Sequence, residues 1–109
     1  MRKVLFICSQ NRLRSPTAEQ VFSMDSRLDV RSAGLDKDAI NTISSDDLEW
    51  ADIIFVMEKT HRNKLSKKFK QYVRGKRVIS LNIPDEYDYM DPILIQLLKI
   101  SVPKYLETY

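Results

Sequence analysis

Cys8-Ser9-Gln10-Asn11-Arg12-Leu13-Arg14-Ser15 places one thiol, two guanidiniums and two hydroxyls in a single short run. A thiol attacks only as its thiolate, and a helix N-terminus beside a guanidinium favours that form. The backbone N–H groups of Ser9, Gln10, Asn11, Arg12, Leu13 and Arg14 can curl around one dianion, and Arg14 adds a planar two-pronged donor that matches two phosphate oxygens. Ser15 can cap a helix or give its hydroxyl to the thiolate, and Pro16 suits a first helical turn. This chemistry makes Cys8 a nucleophile toward phosphate. The competing reading, a small apolar cysteine ending a buried strand, is the usual fate of a lone free thiol. It does not account for Arg14-Ser15-Pro16 following at this spacing between a strand and a helix.

Two kinds of element must hold such a loop. Residues 3–7 read as a strand whose apolar run, Val4 to Ile7, is covered on both faces. Pro16 to Leu28 reads as a helix with Ala18, Val21, Phe22 and Leu28 on its packing side, and Asp29 to Gly34 as a second strand. Residues 35–49 are the least legible; Asn41 to Ser45 suggests a cap and Ser45 to Trp50 a short helix. Ala51 to Met57 is a β-branched, aromatic strand expected beside the first. Thr60 to Tyr72 reads as one helix with Leu65, Phe69 and Tyr72 on a side, stopped at Gly75, and Arg77 to Leu81 as a fourth strand. Asp91 caps a last helix begun by Pro92, with Ile93, Leu97, Leu98, Ile100 and Leu106 available for burial and Pro103 kinking it or ending its regular part. The alternation calls for an α/β, single-domain, three-layer fold over residues 1–109, with a four-stranded parallel sheet and a phosphate-binding loop after strand one. Ligands of such sheets bind at the carboxyl ends of the strands, where that loop leaves the sheet.

Composition narrows the classes. One hundred and nine residues with 43% hydrophobic and 30% charged content fit one soluble globule with a single site. No run approaches membrane-spanning length and the first residues lack a cleavage signal, so a cytoplasmic protein without a membrane partner is expected. One Cys and one His carry no metal-ligand spacing, so neither metal nor organic cofactor is called for. The net charge of +3 favours anionic substrates. The basic stretch Lys64 to Arg77 has its apolar residues on one helical face and no aromatic ladder, which makes it a solvated face and disfavours nucleic acid as a partner.

The assembled residues resemble the low-molecular-weight protein tyrosine phosphatase family, whose nucleophile loop is C-x5-R-[ST] after strand one. Cys8, Asn11, Arg14, Ser15 and Pro16 match that pattern, Ser32-Ala33-Gly34 matches its strand-two ending, and Trp50 to Met57 is similar to its third-strand segment. Gln10 stands where the family usually has glycine, Leu13 where it often has a second cysteine, and the chain is shorter after Gly34. The resemblance implies Cys8 as nucleophile, Arg14 as phosphate clamp, Ser15 as thiolate partner, Asn11 as keeper of the loop's shape, and an aspartate before the last helix as general acid. Asp85, Asp88 and Asp91 compete for that last role. Asp91-Pro92 copies a family dipeptide yet reads fully as a helix cap. Asp85 follows the fourth strand at the family-like distance, precedes Tyr87 as a potential pocket wall, and is preferred.

The reaction implied is hydrolysis of phosphomonoesters, protein phosphotyrosine foremost, through a phosphocysteine, with a phosphorylated protein or small aryl phosphate as substrate and inorganic phosphate or sulfate as loop ligand. The alternatives are a phosphate- or phosphoprotein-binding module with little catalysis and, lower, an arsenate reductase using an external thiol. Arg12 can steer substrate or point into water. His61, among charged neighbours, reads as a solvated surface residue, and Trp50 as packing at a helix-to-strand corner.

Overall fold

The computed structural model describes residues 2–107. In chain order it contains β1 (Arg2–Cys8), α1 (Arg14–Phe22), β2 (Leu28–Gly34), α2 (Ser45–Trp50), β3 (Ile53–Val56), α3 (Lys59–Lys68), α4 (Lys70–Val73), β4 (Arg77–Ser80) and α5 (Pro92–Glu107). The four strands form a parallel sheet in the order β2-β1-β3-β4. This is the expected α/β architecture, with β3 beside β1.

Alternating strand residues divide the core into two layers. Val4, Phe6, Cys8, Ile53, Phe55 and Met57 face α1 and α5, where Ala18, Phe22, Leu94, Leu98 and Val102 cover them. Leu5, Ile7, Ile54 and Val56 face the other way, toward Leu48 of α2, Leu65 of α3 and Phe69, Tyr72 and Val73 around α4. The continuous apolar runs of β1 and β3 follow from this two-sided burial. Phe6 stacks between Phe22 and Phe55, with ring centroids 5.6 and 5.4 Å apart.

Several elements depart from the sequence reading. α1 ends at Phe22 rather than Leu28, because Asp25 accepts hydrogen bonds from the Arg27 backbone and guanidinium and turns the chain, so that Leu28 pairs with Arg2 in the sheet. The expected helix from Thr60 to Tyr72 is two helices, broken at Phe69 with φ −127 and ψ 36 so that its ring turns onto the core. In α5 the buried stripe is Leu94, Leu98 and Val102, whereas Ile93 and Ile100 are exposed. That stripe has four-residue spacing, the face a helix presents to a flat sheet. Each such aliphatic side chain contributes about 1.5–3 kcal/mol on burial. The helix runs through Pro103 without ending there. Gly75 follows α4 with φ 78, the left-handed conformation expected of a helix stop. Trp50 is half-buried against the second layer, with the Arg31 guanidinium 4.1 Å above its ring.

With β2 and β3 flanking β1, the crossovers leave β1 in opposite directions, and a crevice opens at its carboxyl end. Cys8 is the last residue of β1, and α1 begins at Arg14.

Candidate active site

The loop between β1 and α1 is shaped by one left-handed residue. Asn11 has φ 55, a conformation asparagine tolerates better than most side chains, while Gln10, at the family's glycine position, needs no positive φ. Asn11 is buried and its Nδ2 donates to Ser15 Oγ at 2.8 Å and Ser32 Oγ at 3.0 Å. Its backbone N–H points at Cys8 Sγ, 3.2 Å away.

Ser15 lies in the first turn of α1 with its hydroxyl 2.9 Å from Cys8 Sγ, so the side chain serves the thiol and does not cap the helix. Because Asn11 already donates to this oxygen, the Ser15 proton is left for an acceptor. Cys8 Sγ is well placed and the Ala33 carbonyl, at 3.5 Å, is marginal. The sulfur therefore faces two donors, the Asn11 N–H and the Ser15 hydroxyl.

Arg14 is 3% exposed. Its Nη1 donates to Glu58 Oε2 at 2.8 Å and to the Ile83 carbonyl at 2.7 Å. That fixes one side of the guanidinium and leaves the Nε and Nη2 donors for a ligand. Asp85 Oδ1 lies 3.8 Å from Nε. The Arg14 hydrogen bond holds the Glu58 carboxyl below its usual range, aided by the charges of Arg14 and His61 and opposed by partial burial.

The segment from Ile83 to Met90, which carries Asp85 and Asp88, is anchored at both ends. Ile83 donates its N–H to the Met57 carbonyl at 2.8 Å as its own carbonyl receives Arg14, and the Met90 N–H donates to Thr17 Oγ1 at 2.9 Å. Across the crevice, the loop after β2 is bonded to the Cys8 loop by Leu35 N–H to Cys8 O, Asp36 N–H to Ser9 O and Ile40 N–H to Gln10 O. Gly34 permits this approach: a Cβ there would stand 2.6 Å from Ser9 O and 2.9 Å from Asn11 N.

Cys8, Ser9, Gln10, Arg12, Leu13, Arg14, Asp36 and Asp85 line one cavity of about 330 Å³. The structure thus brings together every sequence-derived loop residue except Asn11 and Ser15, which act from behind the wall. Of the three aspartates, only Asp85 lines it. Asp91 caps α5 by accepting the Ile93 N–H at 2.9 Å, and the Asp88 carbonyl accepts the Asp91 N–H. Tyr87 packs against the core. Arg12 is exposed on the cavity wall. Asp36 was not expected there.

His61 corrects the sequence reading outright. It is 3% exposed, its Nε2 lies 2.9 Å from Ser9 Oγ, and its Nδ1 accepts the Glu58 N–H at 3.1 Å. Burial pushes its pKa down, with the Arg14 and Lys64 charges acting the same way and Glu58 and Asp36 opposing. The flanking lysines and arginines that suggested a surface residue do point to solvent. Only the four-residue spacing from His61 to Leu65, buried on the same helix, could have revealed the inward face.

Among the described residues no group of three His, Cys, Asp or Glu side chains could hold a metal ion, and no helix is long and apolar enough to cross a membrane.

The class that fold and site define is an α/β protein with a loop bearing Cys8 and Arg14 at the switch point of its parallel sheet, the fold of the low-molecular-weight protein tyrosine phosphatases. No protein-family model and no curated protein matches the chain. Solved structures match it over nearly its whole length. The low-molecular-weight protein tyrosine phosphatase from T. tengcongensis is 18% identical with a TM-score of 0.77, each chain covered completely. The tyrosine phosphatase Wzb from Escherichia coli K30, in complex with phosphate, is 22% identical at a TM-score of 0.76, with 97% of this chain and 96% of that one covered. The YwlE arginine phosphatase from Geobacillus stearothermophilus is 17% identical at a TM-score of 0.76, with 99% and 94% covered.

Proposed function

We propose that the chain is a cytoplasmic, cysteine-dependent phosphomonoesterase, one phosphatase domain over residues 1–109, that acts without metal or organic cofactor. The observation that carries this reading is the placement of Cys8 Sγ, which faces the Asn11 N–H and the Ser15 hydroxyl on a cavity that also holds Arg14 and Asp85.

Phosphate enters with its equatorial oxygens on the loop N–H groups and the free edge of Arg14. The Cys8 thiolate attacks phosphorus in line with the leaving oxygen, so the S–P bond forms as the P–O bond breaks. Asp85 gives its proton to the departing oxygen. Water then attacks the phosphocysteine, returning a proton to the Asp85 carboxylate as the S–P bond breaks and thiolate is restored. Preorganised donors stabilise both transition states because they need not reorient as charge redistributes.

The substrate we assign is a phosphorylated protein side chain, with phosphotyrosine the leading candidate from the sequence resemblance. Structural neighbours named as tyrosine and arginine phosphatases support a phosphorylated residue as the class. The test is pre-steady-state hydrolysis of an aryl phosphate. The wild type is expected to show a burst and a trapped phosphoenzyme, and Cys8→Ser to lose turnover while still binding phosphate. Phosphate binding without a burst, with any slow turnover unchanged in Cys8→Ser, would instead assign a phosphate-binding module.

A further inference from the structure

The contact between Ser9 and His61 resembles half of a hydrolytic triad, with Glu58 Oε2 3.6 Å from His61 Nε2. Proton placement rules that chemistry out. A backbone N–H can only donate, so the Glu58 N–H occupies the Nδ1 lone pair. The neutral ring then carries its proton on Nε2 and donates it to Ser9 Oγ. Ser9 is held, and His61 has no lone pair left on that side to activate it.

We propose that His61, as the neutral Nε2–H tautomer, is a positioning residue that pins Ser9 and so keeps the first turn of the phosphate loop in its oxyanion-binding shape, and that proton uptake by His61 releases it. This rests on the phosphate-binding reading of the loop. Ser9 is the residue after Cys8, it lines the cavity, and its carbonyl is tied to Asp36. His61 supplies the only side-chain tether on Ser9 among the described residues. Arg14, at the other end of the loop, is held by the Ile83 carbonyl and by Glu58, three positions before His61. The start of α3 therefore grips both ends of the loop at once.

A second proton must go to Nδ1, where it would confront the Glu58 N–H and break the turn from Glu58 to His61. The groups that act electrostatically on the ring are Arg14 of α1, Lys64 of α3, Glu58 before α3 and Asp36 after β2. Arg14 and Lys64 resist protonation while Glu58 and Asp36 favour it. The sign of the outcome discriminates. A new positive charge that merely added to the site's potential would tighten an anion; release of Ser9 loosens it.

Sulfate is the probe, because it stays a dianion from neutral to mildly acidic pH. Its affinity is to be measured by calorimetry across that range for Cys8→Ser alone and combined with His61→Gln, His61→Leu or Ser9→Ala. Glutamine can donate to Ser9 but cannot titrate. At neutral pH, His61→Leu and Ser9→Ala are expected to weaken sulfate about tenfold, with His61→Gln restoring most of the loss. On acidification affinity should fall when His61 is present and stay flat in His61→Gln. Since the chain has a single histidine, the ring nitrogens of the wild type can be read directly by ¹⁵N NMR, which should show Nε2 protonated and Nδ1 bare. An Nδ1–H tautomer, or sulfate tightening on acidification only when His61 is present, overturns the proposal and leaves the phosphatase reading intact. Absence of sulfate binding in every form, together with absence of wild-type turnover, overturns both.

Discussion

Glu58 Oε2 lies 2.8 Å from Arg14 Nη1, joining the start of α3 to the start of α1 across 44 residues of sequence. The pair sets which edge of the guanidinium faces the cavity. Glu58→Ala would leave Nη1 held by the Ile83 carbonyl alone and let the guanidinium move toward Asp85. A hydrogen bond to a charged group is worth about 1.5–3 kcal/mol when buried, and partial exposure of Glu58 reduces this. The phosphate affinity and kcat/KM of Glu58→Ala should each fall roughly tenfold, with Glu58→Gln closer to wild type, as titration with phosphate and steady-state kinetics would show.

Asp85 reaches the cavity, whereas Asp91 is committed to the α5 cap. For a substrate with a poor leaving group, kcat of Asp85→Asn should drop by about 10²- to 10⁴-fold, and much less for an activated aryl phosphate. Asp91→Ala should instead cost about 1 kcal/mol in urea unfolding with kcat retained. The reverse pattern would move the acid to Asp91.

Gly34 is where the second loop meets the first. In Gly34→Ala the added methyl meets backbone atoms of Ser9 and Asn11, which cannot swing aside as a side chain can. Phosphate affinity is expected to fall more than tenfold while the circular dichroism of the helices is kept, since strain at such a contact is relieved by moving the loop.

Stability should decline in acid in two stages. His61 has a lowered folded pKa, so below its ordinary 6.5 the unfolded chain takes up a proton that the folded chain resists. Stability is then lost as pH falls from 6.5 toward the folded value. Glu58 is also lowered, and below 4.5 its unfolded carboxyl binds protons first, which removes its contribution in turn. Urea unfolding of wild type and His61→Gln across this range tests the order: the upper stage should vanish in the variant and the lower should remain.

What could be read from the chain alone was whatever depends on local pattern. β1 and β3 announce themselves because burial on both faces demands unbroken apolar residues. Cys8, Arg14 and Ser15 are legible because a tight loop that turns a strand into a helix and brings a guanidinium beside a thiol leaves little freedom in spacing. Asp91 and Pro92 identify a helix start by capping chemistry alone. The end of α1, by contrast, is set by Asp25 turning the chain so that Leu28 joins β1, a choice made by sheet pairing. The break at Phe69 is equally silent in sequence, because Leu65, Phe69 and Tyr72 keep helical spacing across it.

The decisive side-chain relations are non-local. Glu58 on Arg14, His61 on Ser9, Asn11 on Ser32 and Ile83 on Arg14 each join segments from different crossovers, brought together only when four strands align their carboxyl ends. His61 shows the physical reason. Its neighbours in sequence are charged and solvated, but one turn of α3 faces the core, and on that turn an imidazole finds a backbone donor and a serine hydroxyl. Sequence determined that a loop carrying Cys8, Arg14 and Ser15 should follow β1; the packing of α3 and the chain after β4 against it decided which Arg14 donors stay open to the cavity and which aspartate stands beside them.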